Sequence, residues 1–187
     1  MNRQQEMSCV QEVLNGNIRA FSKLVDAYKD YVFTLTLRMV TNREIAEELA
    51  QDTFIKVFNS LETFKAESKF TTWLYRIAYN TSLDYLKKNK IYFEDIDTAN
   101  NIVSDFDNGL DLLIEEEQSQ NIKVLVNSLP KIDAMILSLY YFDEKSLREI
   151  EEILDLKVNN IKQRLYRSRK ALAEKMNTSH ITIGANE

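Results

Sequence analysis

The stretch from Ser146 to Met176 constrains the fold most, because two short helical patterns flank a break of a few residues. The first pattern repeats apolar residues at intervals of three and four, namely Leu147, Ile150, Ile153 and Leu154. Ser146 before it and Glu149 three residues later predict a capping box. The second pattern, from about Asn159, has an apolar side and an outer side with Lys162, Arg164, Arg167, Arg169, Lys170 and Lys175. Two short helices joined by a tight turn, the second one cationic, are typical of a helix-turn-helix.

Such a motif places its second helix in the major groove of DNA, with the first side chains at base edges and arginines at phosphates. The alternative is an αα-hairpin with a solvated basic face, but the one-sided basic run favours DNA binding. The turn from Asp155 to Val158 has no glycine, and Lys157 has no capping hydroxyl. We therefore expect Asn159 or Asn160 to cap the second helix.

The composition predicts an all-α protein. Its 187 residues include three Gly and one Pro, and long segments have the period of amphipathic helices. This length suffices for one domain of ordinary size or for two small ones. The single cysteine, Cys9, fits a reducing compartment. We find neither an apolar stretch of membrane-spanning length nor an N-terminal signal core, so we expect a soluble, cytoplasmic protein without membrane insertion.

The net charge of −5 is concentrated in one segment of the chain. Residues 91–118 contain nine acidic and no basic residues, whereas the flanking segments each have a slight excess of basic residues. Within it, residues 91–110 have no sustained hydrophobic period and contain Asp, Asn and Gly, which indicates a linker. The acidity therefore does not argue against binding of nucleic acid by the flanking regions.

Four helical patterns precede this linker. They cover residues 5–14, residues 18–40, a segment from Thr41-Asn42 to about Leu61, and residues 70–89. We expect the third helix to bury Ile45, Leu49, Phe54, Val57 and Phe58, and the fourth to bury Leu74, Ile77, Ala78 and Leu86. Beyond the linker, the pattern predicts a helix at roughly 111–128 and another from Pro130 to about Phe142.

The fourth helix combines many aromatic and basic residues. It contains Phe70, Trp73, Tyr75, Tyr79 and Tyr85 together with Arg76, Lys87, Lys88 and Lys90. One inward stripe needs fewer aromatics than this, so we expect some of them to be exposed. Exposed aromatics beside cations suit stacking of unpaired bases and contact with their backbone. Burial in the core remains the alternative for each aromatic taken singly.

The sequence shows no catalytic constellation. Its only histidine, His180, lies close to the C-terminus, and there is no metal-ligand spacing, phosphate-binding glycine loop or nucleophile elbow. Adjacent carboxylates such as Glu47 and Glu48 are most often simply solvated. We therefore expect a protein that is not an enzyme and has no catalytic residue, metal site or cofactor.

Three segments carry a family resemblance, REIAEELAQDTFIKVFNSLETF, FTTWLYRIAYNTSLDYLKK and SLPKIDAMILSLYYFDEKSLREIEEILDLKVNNIKQRLYRSRKAL. They resemble bacterial extracytoplasmic-function (ECF) sigma factors, over about residues 10–90 and 120–173. The resemblance implies two small helical domains joined by an acidic linker, the second a helix-turn-helix bundle. The implied divisions are residues 1–90 for polymerase binding and minus-ten melting, 91–118 for the linker, 119–176 for minus-thirty-five recognition and 177–187 for a tail.

The resemblance also implies roles for individual residues. The minus-thirty-five readers would be Asn160, Lys162, Gln163, Arg164, Tyr166, Arg167 and Arg169, with Arg164 and Arg169 at phosphates. The minus-ten surface would comprise Phe64, Lys65, Ser68 and Lys69 around a flipped base, Asn80 beside them, and Lys87, Lys88 and Lys90 at phosphates. The polymerase-binding surface would comprise Glu48, Gln51, Asp52, Phe54 and Lys56. Trp73 would support the base pocket from the core.

The implied partners are RNA polymerase core, promoter DNA as duplex and as melted strand, and an anti-sigma factor. The chain departs from the family pattern at three places. Glu151 stands where Ala is common, Asn159-Asn160 replaces a Gly-Thr pair, and Lys88 stands near a position that is often Arg. Two other classes of protein remain open, a stand-alone helix-turn-helix regulator and a helical protein-interaction adaptor. A regulator would have no need for the aromatic and basic helix, and an adaptor would have no need for the aligned cations.

Overall fold

A computed structural model of the chain describes residues 1–89, 126 and 128–183, with side chains to residue 175. These ranges contain seven α-helices, one 3-10 helix and no strand, which confirms the all-α class. The predictions for the acidic linker and for a helix at 111–128 lie outside the described residues. None of the helices within the described ranges has the length and apolar character that crossing a membrane requires.

The N-terminal helices are α1 (Arg3–Leu14), α2 (Arg19–Val40), α3 (Arg43–Ser60) and α4 (Phe70–Lys88), with a 3-10 turn at Leu61–Thr63. They belong to one compact unit. Helix α2 packs against α1, α3 and α4, and α3 also packs against α4. The core of this unit therefore forms around α2, whose Leu24 and Val32 are fully buried.

Local capping chemistry sets the starts of two of these helices. The Asn42 side chain accepts a hydrogen bond from the Ile45 amide at 3.0 Å, as the sequence predicted for α3. Helix α1 starts at Arg3, two residues earlier than expected, because Asn2 and Gln5 form a capping box. The predicted end of α1 is correct, and Gly16 follows it with a φ of 95°.

The inner face of α3 differs from the prediction. Its buried residues are Ala46, Leu49, Ala50, Thr53 and Val57. Phe58 is 37 % exposed, and Ile45 and Phe54 are only half-buried. Small side chains let α3 approach α2 closely, as shown by the Thr36 hydroxyl, which donates to the Ala46 carbonyl at 2.9 Å. The bulky residues therefore lie at the edges of the contact.

One buried polar pair joins α1 to α2. The Tyr28 hydroxyl donates a hydrogen bond to the Glu6 carboxylate, and both residues are buried. Burial, reinforced by this hydrogen bond and the nearby carboxylate charge, raises the pKa of Tyr28 above its ordinary value. The phenol therefore stays protonated and keeps the buried carboxylate paired.

The C-terminal helices are α5 (Lys131–Tyr141), α6 (Leu147–Leu154) and α7 (Val158–Ile183). Helix α5 packs against α7, and Leu137 of α5 forms a cluster with Val126 and Leu129 against which Leu172 of α7 packs. Helix α6 has the predicted bounds and the predicted Ser146–Glu149 capping box. Helix α7 continues past Met176 to Ile183, where the prediction placed a tail, because residues 158–183 contain no Gly or Pro to interrupt it.

Among the residues that the structure describes, four non-glycine residues at junctions between helices adopt left-handed backbone conformations. Their φ angles are 59° at Thr41, 57° at Ala66, 49° at Glu144 and 55° at Asp155. Thr41 and Asp155 are the C-caps of α2 and α6. A side chain disfavours this conformation, so these junctions store strain that glycine would avoid.

Candidate nucleic-acid interface

The turn of the helix-turn-helix is closed by a carboxylate. Glu151 of α6 accepts a hydrogen bond from the backbone amide of Val158 at 3.2 Å, across the turn and at the first residue of α7. The prediction that Asn159 or Asn160 caps this helix is wrong, since α7 begins before them and both lie in its first turn. Asp155 supplies the left-handed residue for which the sequence had no glycine. Glu151, a departure from the family pattern, thereby fixes the start of α7.

The outer face of α7 is exposed and continuous. Lys162, Gln163, Tyr166 and Arg167 line one shallow, open depression. Tyr166 is 66 % exposed, which is unusual for a large aromatic and leaves its ring available to a partner. Asn160 and Arg169 are also exposed. The opposite side of α7, including Ile161 and Leu165, is buried, so the helix has one packed side and one accessible side.

Arg164 lies on the packed side of α7, and its predicted role at a phosphate stays a prediction. Its Nη1 atom lies 2.8 Å from the Asp133 Oδ1 atom of α5, and the two side chains are only 15 % and 13 % exposed. Its Nε atom donates to the Asn160 Oδ1 atom at 3.1 Å. The guanidinium therefore ties α7 to α5 and also holds the side chain of an exposed residue in the first turn.

The aromatic residues of α4 are less exposed than predicted. Phe70, Tyr75 and Tyr79 are buried at 2 %, 3 % and 7 % exposure, and Trp73 and Tyr85 are half-buried. The expectation of exposed aromatics was wrong because α4 packs against both α2 and α3, so that its buried arc is wider than one stripe. The cations of this helix, Arg76, Lys87 and Lys88, are exposed. Lys90 lies outside the described residues.

The loop between the 3-10 turn and α4 is anchored by edge-to-face and tilted ring contacts. The half-buried Phe64 packs its ring 5.5 Å from Phe70 and 5.2 Å from Trp73. The loop residues Lys65 and Lys69 are exposed, and Ser68 is half-buried. Trp73 thus contacts a ring of the loop, and its support of a base pocket stays a prediction.

Asn80 lies on the same face of α4 as Trp73. It is exposed, and its position seven residues later puts it two helical turns, or roughly 10 Å, along the axis. Its amide is therefore accessible on this face of α4.

The predicted polymerase-binding residues lie on α3. Glu48, Gln51, Asp52 and Lys56 are exposed, and Phe54 is half-buried. The Phe54 and Phe58 rings pack 6.5 Å and 5.1 Å from Phe21 of α2. The sequence interpretation missed Ile55, which is 58 % exposed among these polar residues. Its position off the apolar stripe of α3 was the available signal.

Family comparisons agree with this arrangement. The sequence model of Sigma-70 region 2 matches residues 24–91, and that of Sigma-70, region 4 matches residues 119–172. The ECF RNA polymerase sigma factor SigW of Bacillus subtilis (strain 168) is 36 % identical over 176 residues, which cover 89 % of this chain and 94 % of SigW. This chain belongs to the ECF sigma-factor family. The ECF RNA polymerase sigma-E factor of Escherichia coli (strain K12) is 33 % identical over 176 residues, with coverage of 89 % and 92 %.

Two solved structures share the fold of this sigma factor. CnrH, in complex with the cytosolic domain of CnrY, superimposes with a TM-score of 0.66 at 19 % identity, covering 93 % of this chain and 98 % of CnrH. The sigma factor RpoE from Bartonella quintana, in complex with the anti-sigma factor NepR, gives a TM-score of 0.64 at 19 % identity, covering 84 % and 96 %. Members of this family are promoter-specific initiation factors that bind RNA polymerase, and this chain is one of them.

The sequence analysis did not identify the contacts that two residues of this sigma factor make with α7. Asp133 could not be recognised as the partner of Arg164, because the pairing depends on how α5 packs against α7. Glu151 did leave a signal, since a carboxylate shortly before a short break can reach the N–H groups that follow it. The four-residue spacing of Asn160 and Arg164 was a second visible signal.

Proposed function

We propose that the outer face of α7 reads the minus-thirty-five element in the major groove. The observation that carries this proposal is the two-sided character of α7, with one side fixed to α5 and the other exposing an aromatic, an amide and two cations. Lys162, Gln163, Tyr166 and Arg167 face the bases, while Arg169 contacts phosphate. Arg164 has a supporting role in place of the phosphate contact that the resemblance implied.

The loop residues Phe64, Lys65, Ser68 and Lys69, together with Asn80, form the minus-ten surface in this proposal. The packed rings of Phe64, Phe70 and Trp73 hold the loop in place. The exposed Asn80 amide can hydrogen-bond an extruded DNA base. Lys87 and Lys88 supply charge for the phosphates that follow, and Lys90 continues the run in the sequence. Extrusion of a base costs a few kcal/mol, which a fitted pocket offsets.

Helix α3 supplies the polymerase-binding surface. Its face combines the exposed residues Glu48, Gln51, Asp52 and Lys56 with the partly accessible ring of Phe54 and the exposed Ile55. An apolar side chain surrounded by polar ones is typical of a protein interface with a dry centre and a polar rim. This surface serves to recruit RNA polymerase core, so that the protein acts in the cytoplasm.

The test is promoter-specific transcription with purified core polymerase and two variants. Arg167→Ala should weaken closed-complex binding, because a lost base contact costs roughly 1–3 kcal/mol, whereas a lost phosphate contact would lower the salt slope instead. Asn80→Ala should leave closed-complex binding intact and reduce opening, measured by permanganate reactivity of melted thymines. Equal loss of closed-complex binding by both variants, without an extra opening defect in Asn80→Ala, would contradict this division.

We also propose that a protein inhibitor sequesters this sigma factor. The support is the exposed apolar surface on α3, with Ile55 and Phe58, and the fold shared with RpoE, which was solved with an anti-sigma factor. Affinity capture of the tagged chain from its host should recover a dedicated inhibitor. Recovery of polymerase subunits alone, under inducing and non-inducing conditions, would contradict the proposal.

A further inference from the structure

We infer that Asn160 is a specificity-determining residue that selects guanine over adenine at one base pair of the minus-thirty-five element. The inference rests on the proposed function, since it requires the outer face of α7 to enter the major groove. Asn160 is exposed in the first turn of α7. The side chains nearest the N-terminus of a recognition helix are those that reach base edges.

The orientation of the Asn160 amide is set by a chain of contacts from α5. Asp133 binds the Arg164 Nη1 atom at 2.8 Å, and the Arg164 Nε atom donates to the Asn160 Oδ1 atom at 3.1 Å. The ion pair is shielded from solvent, so the guanidinium plane is fixed. The Asn160 oxygen therefore faces Arg164, and its NH2 group points to the other side.

This orientation changes what the asparagine can recognise. An unrestricted asparagine pairs with adenine in the major groove by accepting from N6 and donating to N7. Here one lone pair of the oxygen accepts from Arg164 and the oxygen is turned toward that residue, so the group that points away from Arg164 is the NH2 with its two N–H donors. Guanine offers two acceptors, O6 and N7, on the same edge. The pairing preference of the residue is therefore reversed from adenine to guanine.

The start of the helix is fixed independently. Glu151 holds the Val158 amide at 3.2 Å, and the backbone amide of Asn160 donates to the Lys157 carbonyl at 2.9 Å. A residue held at its backbone by one contact and at its side chain by another loses little conformational freedom on binding. Such preorganisation converts a small difference in hydrogen bonding into discrimination.

The experiment uses holoenzyme reconstituted from the full chain and purified core polymerase. A promoter library randomised across the minus-thirty-five element is selected for binding, and the base preference at each position is determined by sequencing. The native protein should prefer guanine to adenine at one position. Asn160→Ala should flatten that preference alone, by roughly two- to tenfold, as expected for one hydrogen-bonding contact.

The Arg164→Lys variant tests whether Arg164 positions the Asn160 amide or only stabilises the protein. Lysine keeps the charge beside Asp133 but, as a point charge on a flexible stem, does not reproduce the fork that engages two partners. The released amide should then rotate and shift the preference toward adenine at the same position, with the other positions unchanged. A merely structural role for Arg164 would lower binding to all sequences equally.

Asn159→Ala is the matched control, since it alters the same helical turn without touching Arg164, and it should leave this preference unchanged. The inference is overturned if the position that Asn160→Ala flattens prefers adenine, if Arg164→Lys leaves its preference intact, or if Asn159→Ala flattens it equally. A profile that no variant changes, including Lys162→Ala and Arg167→Ala, would overturn the proposed function of α7 itself.

Discussion

Helices α4 and α7 both place tyrosine beside arginine and lysine, but in opposite environments. The sequence analysis expected some of the five aromatic residues of α4 to be exposed, and the family resemblance implied that Tyr166, the aromatic residue of α7, reads bases. In α4, Tyr75 is 3 % exposed, whereas Tyr166 of α7 is 66 % exposed. The difference follows from packing, because α4 contacts both α2 and α3, while α7 packs against α5 on one side. The number of neighbouring helices, and not composition, decides whether an aromatic residue supports the core or remains available to a ligand.

The strongest test of this comparison replaces one tyrosine in each helix. Tyr75→Ala should destabilise the protein by about 3–5 kcal/mol, because it removes a buried aromatic and leaves a cavity. Tyr166→Ala should change stability by less than ~0.5 kcal/mol, as expected for an exposed site. Urea denaturation followed by circular dichroism measures both. Similar destabilisation by the two variants would mean that the ring of Tyr166 packs against the protein.

A second test compares two arginines on α7 that differ by three positions. Arg164→Ala leaves the buried Asp133 carboxylate without this partner and should cost about 1–3 kcal/mol of stability. Arg167→Ala removes an exposed side chain and should leave stability nearly unchanged while weakening promoter binding. Thermal unfolding and closed-complex binding, measured on the same preparations, distinguish them. If Arg164 contacts phosphate instead, its variant will melt normally and show a lower salt dependence of binding.

A third and smaller effect concerns the start of α7. Glu151→Ala should cost about 0.5–2 kcal/mol, the usual range for loss of a helix cap. Glu152→Ala is the matched control, because this neighbouring carboxylate is exposed and gains the same helix propensity from alanine. The difference in the free energy of unfolding between the two variants, measured by chemical denaturation, gives the contribution of the cap. Equal stabilities would show that the hydrogen bond between Glu151 and Val158 contributes nothing.

Two helix starts that depend on neighbouring residues in the sequence were predicted correctly, whereas features that depend on contacts between distant residues were not. The starts of α3 and α6 followed from Asn42 and from the Ser146–Glu149 pair, because a cap acts within one turn. The start of α7 was placed incorrectly, since its cap comes from Glu151 on the preceding helix. The prediction for the inner face of α3 was wrong because small residues such as Ala46 make the closest contact with α2. Hydrophobicity alone favours the larger residues.

The residues of the candidate interface show the same difference between local patterns and distant contacts. The exposure of Lys162 and Arg167 could be predicted from the one-sided pattern of α7, whose period is a local property. The pairing of Arg164 with Asp133 could not, because it depends on packing between α5 and α7. A count of positive charges treats all the arginines of α7 alike, although Arg164 is engaged by the protein itself.

The left-handed residues Thr41, Ala66, Glu144 and Asp155 are positions at which substitution by glycine would raise the thermal stability of this sigma factor. Glycine at such a position relieves on the order of 1 kcal/mol of strain, partly offset by the greater freedom of the unfolded chain. Glycine at Thr41 or Asp155 would act at a helix end. Ala66 is different, because it lies in the loop proposed to receive the extruded base. Relief of strain there would loosen the loop, so thermal robustness and promoter opening would be in competition at that one residue.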